Sequence, residues 1–278
     1  MGRILDQLTR NANFTKISLQ KLDNVEASLQ QMAHVLNAMH GAFQSQRATN
    51  SEEIVQAAEA ESRIRSVFLT DLFPGIERVM LPVDAINEES EHANHVDLLY
   101  VSAIAQAIGA KRLFEFGTYL GRTSYHLTFA SANAQVFTLN LPPGEDSRIA
   151  PYLGSFFKGT EREKQITQIL CDSRKFDTAP FAKSMDFVFV DGDHSYALIK
   201  NDTQKAFDML RPGGVIVWHD YAAKSPGVLQ FFKEFTMVRP LFRIKATCLI
   251  VHVDGVDPET FEVGERRETL VSAARRAV

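Results

Sequence analysis

The chain has 278 residues, 45% hydrophobic and 23% charged, which is the balance of a folded globular protein and excludes wholesale disorder. Thirty Lys and Arg against 34 Asp and Glu leave a formal charge of −4, without the basic excess of a general nucleic-acid coat. Two cysteines, Cys171 and Cys248, lack a CxxC partner, which excludes a disulfide scaffold and a Cys-rich zinc module. No run approaches the roughly 18 apolar residues of a membrane span, and the start (MGRILDQLTRNANF) lacks a signal peptide's apolar core. These features predict a soluble, cytoplasmic protein with no nucleic-acid partner and no membrane span.

Residues 1–65 contain no proline, and they read as a helical extension. Leu22, Val25, Leu29, Met32, Leu36, Met39 and Phe43 alternate three- and four-residue spacings, a narrow apolar seam of coiled-coil type. Such a seam packs on the main domain or pairs with its twin in a homodimer or higher homo-oligomer. A membrane-surface helix is disfavoured by a polar face poor in Lys and Arg. Residues 52–69 read as a second helical stretch, closed by Phe73-Pro74-Gly75. A connector follows over 66–90, where Glu88, Glu89 and Glu91 suit the first turn of the next helix.

Residues 91–254 alternate helix and strand patterns. Val96, Leu99, Val101, Ile104, Ala105 and Ile108 line a helix face that stops at Gly109. Apolar runs at Arg112–Phe116, Gln135–Leu139, Gln165–Leu170, Asp186–Val190 and Val215–Trp218 read as strands, with helices near 122–131 and 196–210. Alternation of this kind gives a parallel sheet covered on both faces. Leu241–Ala246 and Cys248–Val253 are too close in sequence to be anything but an antiparallel pair. Residues 255–278 form a charged tail, with Arg266, Arg267, Arg275 and Arg276 on a solvated face.

Open α/β sheets bind ligands beyond the carboxyl ends of their strands, so chemistry is sought there. The first such end reads Glu115-Phe116-Gly117-Thr118-Tyr119-Leu120-Gly121. It is ExGxxxG, without the extra glycine of the dinucleotide fingerprint, and a plain strand-to-helix turn explains the two glycines as well. Asn140 ends the second run, where a ribose-binding sheet usually places an acid. Asp172 and Ser173 end the third, as a base-reading group or as a cap. The fourth ends Asp191-Gly192-Asp193-His194 and the fifth His219-Asp220. Adjacent parallel strands lie about 5 Å apart, so Asp191 and Asp220 are expected to share one ligand position. Carboxylates with an imidazole suit a divalent cation; the alternative is that Asp220 caps a helix and Asp191 bonds loop amides.

The segments FEFGTYLGRTS, ILCDSRKFD, FVFVDGDHSY and LRPGGVIVWHDY resemble, in order, those of class I S-adenosylmethionine-dependent methyltransferases, over about residues 88–254. The DGDHSY and WHDY pair resembles the branch of sugar and antibiotic O-methyltransferases. The resemblance implies a Rossmann-like, doubly wound α/β fold with a seven-stranded sheet, mostly parallel and finished by the antiparallel hairpin. It implies that Glu115, Gly117, Thr118 and Gly121 cradle the methionine and ribose parts of S-adenosyl-L-methionine. Asn140 would hold the ribose, Asp172 and Ser173 the adenine, and Asp191 would also border the cofactor. Asp191, His219 and Asp220 would hold Mg²⁺ or another divalent ion, with His219 where the family has an acid. Asp191 and His194 would serve catalysis, His194 as general base. The substrate expected is a small hydroxylated acceptor, a saccharide or natural product. Residues 142–164 form a long insertion whose Tyr152, Phe156 and Phe157 either line an acceptor pocket or anchor the loop. Two other functions compete: an inactive cofactor-binding scaffold that assembles through its first helix, and a nucleotide-dependent oxidoreductase, which the absent GxGxxG disfavours.

Overall fold

The computed structural model describes residues 51–82, 95–145 and 150–263. The chain divides into two compact units, Met1–Glu53 and Ile54–Val278, and the architecture below is that of the second. The apolar seam from Leu22 to Phe43, the acidic run at Glu88–Glu91 and the four tail arginines lie outside the described residues.

Eight strands form one sheet: β1 (Ile64–Val67), β2 (Arg112–Phe116), β3 (Gln135–Asn140), β4 (Ile166–Leu170), β5 (Met185–Val190), β6 (Leu210–Trp218), β7 (Leu241–Ile244) and β8 (Ile250–Val253). Their spatial order is β1-β7-β8-β6-β5-β2-β3-β4. All pairings are parallel except β6 with β8 and β7 with β8, so the C-terminal hairpin is as expected. The fold is thus Rossmann-like and mostly parallel, with eight strands rather than seven. The additional strand comes from the stretch expected to be helical over 52–69. The helix there ends at residue 60, and Ile64–Val67 joins the free edge of β7 in parallel. The segment hides its nature because it is an edge strand of four residues in which only Val67 is fully buried.

The central strands are apolar on both faces because helices cover both. In β5, Phe187 and Phe189 enter one core cluster with Val101, Ile104, Leu113 and Val217. Their neighbours Val188 and Val190 enter the other, with Phe114, Trp218 and Phe232. Helices among the described residues that supply these layers include α1 (His95–Ala107), α2 (Arg122–Leu127), α3 (Tyr196–Met209) and α4 (Pro226–Phe235). In the first turn of α1 the buried side differs from the expected one: Val96 is exposed and Leu99 half-buried, while Asp97 and Leu98 are buried.

The chain runs from β2 outward through β3 to β4, then returns to the other side of β2 for β5. That reversal separates the loops leaving β2 and β5 and opens a crevice at their carboxyl ends.

Candidate functional site

The crevice is a cleft of 770 Å³ bordered by the ends of β2, β3, β4, β5 and β6. Of the residues singled out in the sequence, Gly117, Asn140, Asp172, Ser173, Asp191, His194, His219 and Asp220 border it. Glu115, Thr118 and Gly121 do not. Tyr119, Arg174, Asp202 and Lys224 also line the cleft, and sequence reasoning gave them no role.

Glu115 is buried within β2. Its carboxyl accepts hydrogen bonds from the Ser124 hydroxyl and from Thr138 Oγ1 at 2.7 Å, and Thr138 in turn meets Thr118 Oγ1 at 2.7 Å. Burial pushes the Glu115 carboxyl up to about 8, against the smaller opposing effect of the two hydroxyls. Glu115 and Thr118 thus tie β2 to β3 and α2 beneath the cleft. Gly117, at φ +99°, lets β2 pass β5: a Cβ there would stand 2.0 Å from the Asp191 carbonyl oxygen. Gly121 has its close neighbour in the Phe157 ring, 2.4 Å from where its Cβ would be. Phe157 is buried, and the Gly154 and Phe156 amides donate to the Tyr119 and Leu120 carbonyls at 2.8 and 2.9 Å. The insertion is therefore anchored to the loop after β2, and Tyr152, Phe156 and Phe157 do not border the cleft.

At the mouth, Tyr119 holds a left-handed backbone with φ 46°, a conformation rare for a bulky side chain. Its amide donates to Asn140 Oδ1 at 3.2 Å. Asp172 is engaged on both oxygens. Oδ1 accepts the Arg174 amide at 2.9 Å and Nε at 3.0 Å, and Oδ2 accepts Nη2 at 2.6 Å. These bonds hold the Asp172 carboxyl down to about 2.

The densest chemistry lies where β5 and β6 end side by side. Val190 pairs with Trp218 in register, and the His219 amide donates to the Val190 carbonyl at 3.1 Å. His219 Nδ1 lies 3.3 Å from Asp191 Oδ1 and 3.1 Å from Asp220 Oδ2. His219 Nε2 lies 3.1 Å from Oδ2 of Asp97, which comes from the first turn of α1. Asp220, at φ 61°, borders the cleft. It is also met by His194 Nε2 at 2.7 Å and Lys224 Nζ at 2.9 Å. Burial works against a charged His219 ring, but Asp191, Asp220 and Asp97 outweigh it and raise the imidazole far above its ordinary value. The Asp220 hydrogen bond likewise raises His194, while His194, His219 and Lys224 hold Asp220 far below the usual carboxylate range despite its burial.

One nitrogen and two carboxylate oxygens of Asp191, His219 and Asp220 fall within 4.8 Å of one another. Ligands at right angles around a small octahedral cation, about 2.1 Å from it, stand about 3 Å apart. The Nδ1–oxygen separations of 3.1 and 3.3 Å match that spacing. His219 Nδ1 is also buried, set between these two carboxylates. The donor set therefore fits a divalent ion.

Asp97 is a further residue that sequence reasoning missed. The signal was present: with Val101, Ile104 and Ile108 it follows a 4-3-4 spacing, an acid set in the buried stripe of a helix.

Residues 114–221, somewhat less than half of the chain, match the family model of a methyltransferase domain. No curated protein matches the chain. Among solved structures, it is similar to the O-methyltransferase TomG of Streptomyces achromogenes, involved in tomaymycin synthesis and solved with S-adenosylmethionine. That match has 16% identity over 66% of this chain and 96% of TomG, with a TM-score of 0.48. An O-methyltransferase of Bacillus cereus in complex with S-adenosylhomocysteine matches at 17% identity over 67% of this chain and 90% of its own, with a TM-score of 0.44. An S-adenosylhomocysteine-bound methyltransferase of Podospora anserina matches at 12% identity over 74% and 95%, with a TM-score of 0.47. No helix among the described residues is long and apolar enough to cross a membrane. The cleft residues from Phe116 to Asp220 thus lie within the segment that matches a methyltransferase domain.

Proposed function

We propose that this chain is an S-adenosylmethionine-dependent methyltransferase acting on a hydroxyl group of a small acceptor, a saccharide or related natural product. The observation that carries the reading is the cleft itself. It opens where strand order reverses between β2 and β5 and is lined by strand-end residues of the segment that matches a methyltransferase domain. Gly117, Asn140, Asp172 and Ser173 form the cofactor side, with Asp191 between it and the acceptor side. Glu115, Thr118 and Gly121 shape the loop from below. S-adenosylmethionine supplies an activated methyl group, so the chain's own task is to align an acceptor oxygen and remove its proton.

His194 is the general base. With Nε2 held by Asp220 at 2.7 Å, the lone pair left for the acceptor proton is on Nδ1. A divalent cation held by Asp191, His219 and Asp220 would lower the pKa of a bound hydroxyl. A second reading, a cofactor-binding scaffold without turnover, draws on the uncharged Asn140 and on Asp172, whose oxygens are occupied by Arg174.

Calorimetric titration of S-adenosylhomocysteine decides first. Saturable one-to-one binding is expected, and its absence removes the methyltransferase reading. Methyl transfer to hydroxylated acceptors is then followed with and without chelator. His194→Ala is expected to lower turnover by about 100-fold or more, the scale of a lost general base, with little change in cofactor affinity. Unchanged turnover removes the base assignment, while binding without turnover on any acceptor favours the scaffold.

A further inference from the structure

We propose that Asp97 is a positioning residue for the cation site: it fixes the His219 ring so that Nδ1 is presented to the position shared with Asp191 and Asp220. The role rests on the cation reading above and adds a residue from outside the segment that matches a methyltransferase domain.

Asp97 is almost completely buried, at 1% exposure, on the first turn of α1. A buried carboxylate is costly unless its position serves something. Oδ2 has two neighbours, the His219 ring nitrogen at 3.1 Å and the Cys248 amide at 3.2 Å. Oδ1 is buried with no hydrogen-bond partner. Among the described residues neither oxygen meets an arginine or lysine, so the contact with His219 is the distinctive one.

The chemistry follows from the two faces of the ring. A carboxylate can only accept, so the His219 nitrogen facing Asp97 must carry the proton. In the neutral ring that proton on Nε2 leaves the lone pair on Nδ1, and Nδ1 is the nitrogen between Asp191 and Asp220. Without Asp97 the neutral ring has no reason to prefer this tautomer, since Nδ1–H would donate to either carboxylate on the other side. Carboxylates placed behind histidine ligands in this way set ring orientation and basicity, and their loss typically weakens metal binding about 10- to 100-fold.

The test uses the full chain and Mn²⁺, with free ion counted by electron paramagnetic resonance. Asp97→Asn keeps the shape and an oxygen able to accept the Cys248 amide, and removes the charge. It is expected to weaken Mn²⁺ binding about 10- to 100-fold while S-adenosylhomocysteine affinity stays within twofold. In ¹⁵N-histidine-labelled wild type saturated with Mg²⁺, His219, assigned through His219→Asn, is expected to show a protonated Nε2 and an unprotonated Nδ1. Asp97→Asn is expected to lose that pattern.

Equal Mn²⁺ affinity in Asp97→Asn, with wild type binding the ion, overturns the role of Asp97 and leaves the cation site standing. No Mn²⁺ binding by wild type overturns the cation site and this role with it. Should Asp97→Asn fail to fold, the wild-type spectrum still decides, because a ring protonated on Nδ1 in the Mg²⁺-loaded protein overturns the proposal.

Discussion

Glu115 carries a pH signature that can be read without any ligand. Its carboxyl titrates near 4.5 when exposed and near 8 in the folded chain, because burial disfavours the charge. The folded state therefore binds the proton more tightly than the unfolded one. The contribution of this group is fully present below pH 4.5 and is lost as pH rises through 8. Glu115→Gln keeps the shape and an acceptor for Ser124 and Thr138 but cannot ionise. Calorimetric unfolding across pH 5 to 8 should show wild type losing stability relative to Glu115→Gln as pH rises; parallel curves would refute a buried neutral carboxyl. At this scale the sequence was legible where strand ends bring polar residues to the cleft, as at Asp191, His194, His219 and Asp220. It did not show that Glu115 bonds within the sheet or that Arg174 takes the Asp172 oxygens. Those outcomes depend on where a side chain turns after its backbone is placed, and periodicity carries no record of that.

Among the elements, the start of α4 and the loop carrying His194 are built to touch. A Cβ on Gly227 would stand 2.7 Å from the His194 carbonyl oxygen and 2.8 Å from the Tyr196 amide nitrogen. Both are backbone atoms, so the loop or the helix must move. Gly227→Ala is expected to cost about 1–3 kcal/mol, the usual scale of overpacking, and to lower turnover by displacing His194. Urea unfolding measures the first effect, and an unchanged midpoint would mean that the loop yields freely. Central strands such as β5 were easy to read because burial on both faces makes their apolar runs continuous. Ile64–Val67 was not: an edge strand needs only one inward residue, and Arg65 in its middle reads as solvated helix. In α1 the helix was legible but its inward face was not, since Val96 looked the better core residue until Asp97 was seen to hold His219.

For the molecule as a whole, the open question is how many copies act together. The alternating seam of Leu22 to Phe43 supports the proposal that the segment carrying it pairs subunits. Removing residues 1–50 leaves all but three residues of the second compact unit's predecessor absent and the unit Ile54–Val278 intact. Light scattering is expected to show a fall in subunit number, and an unchanged number would place the contact elsewhere. The sheet itself has a temporal consequence. Its edge strand β1 (Ile64–Val67) is synthesised well before its partner β7 (Leu241–Ile244), which lies far downstream in sequence. At about 5–20 residues per second, β1 waits on the order of ten to thirty seconds after leaving the ribosome before a hydrogen-bonding partner exists. During that interval it is an unpaired strand exposed to other nascent chains, and Arg63 and Arg65, which in the finished fold bond Glu259 and the Pro258 carbonyl, are the charges that discourage premature pairing.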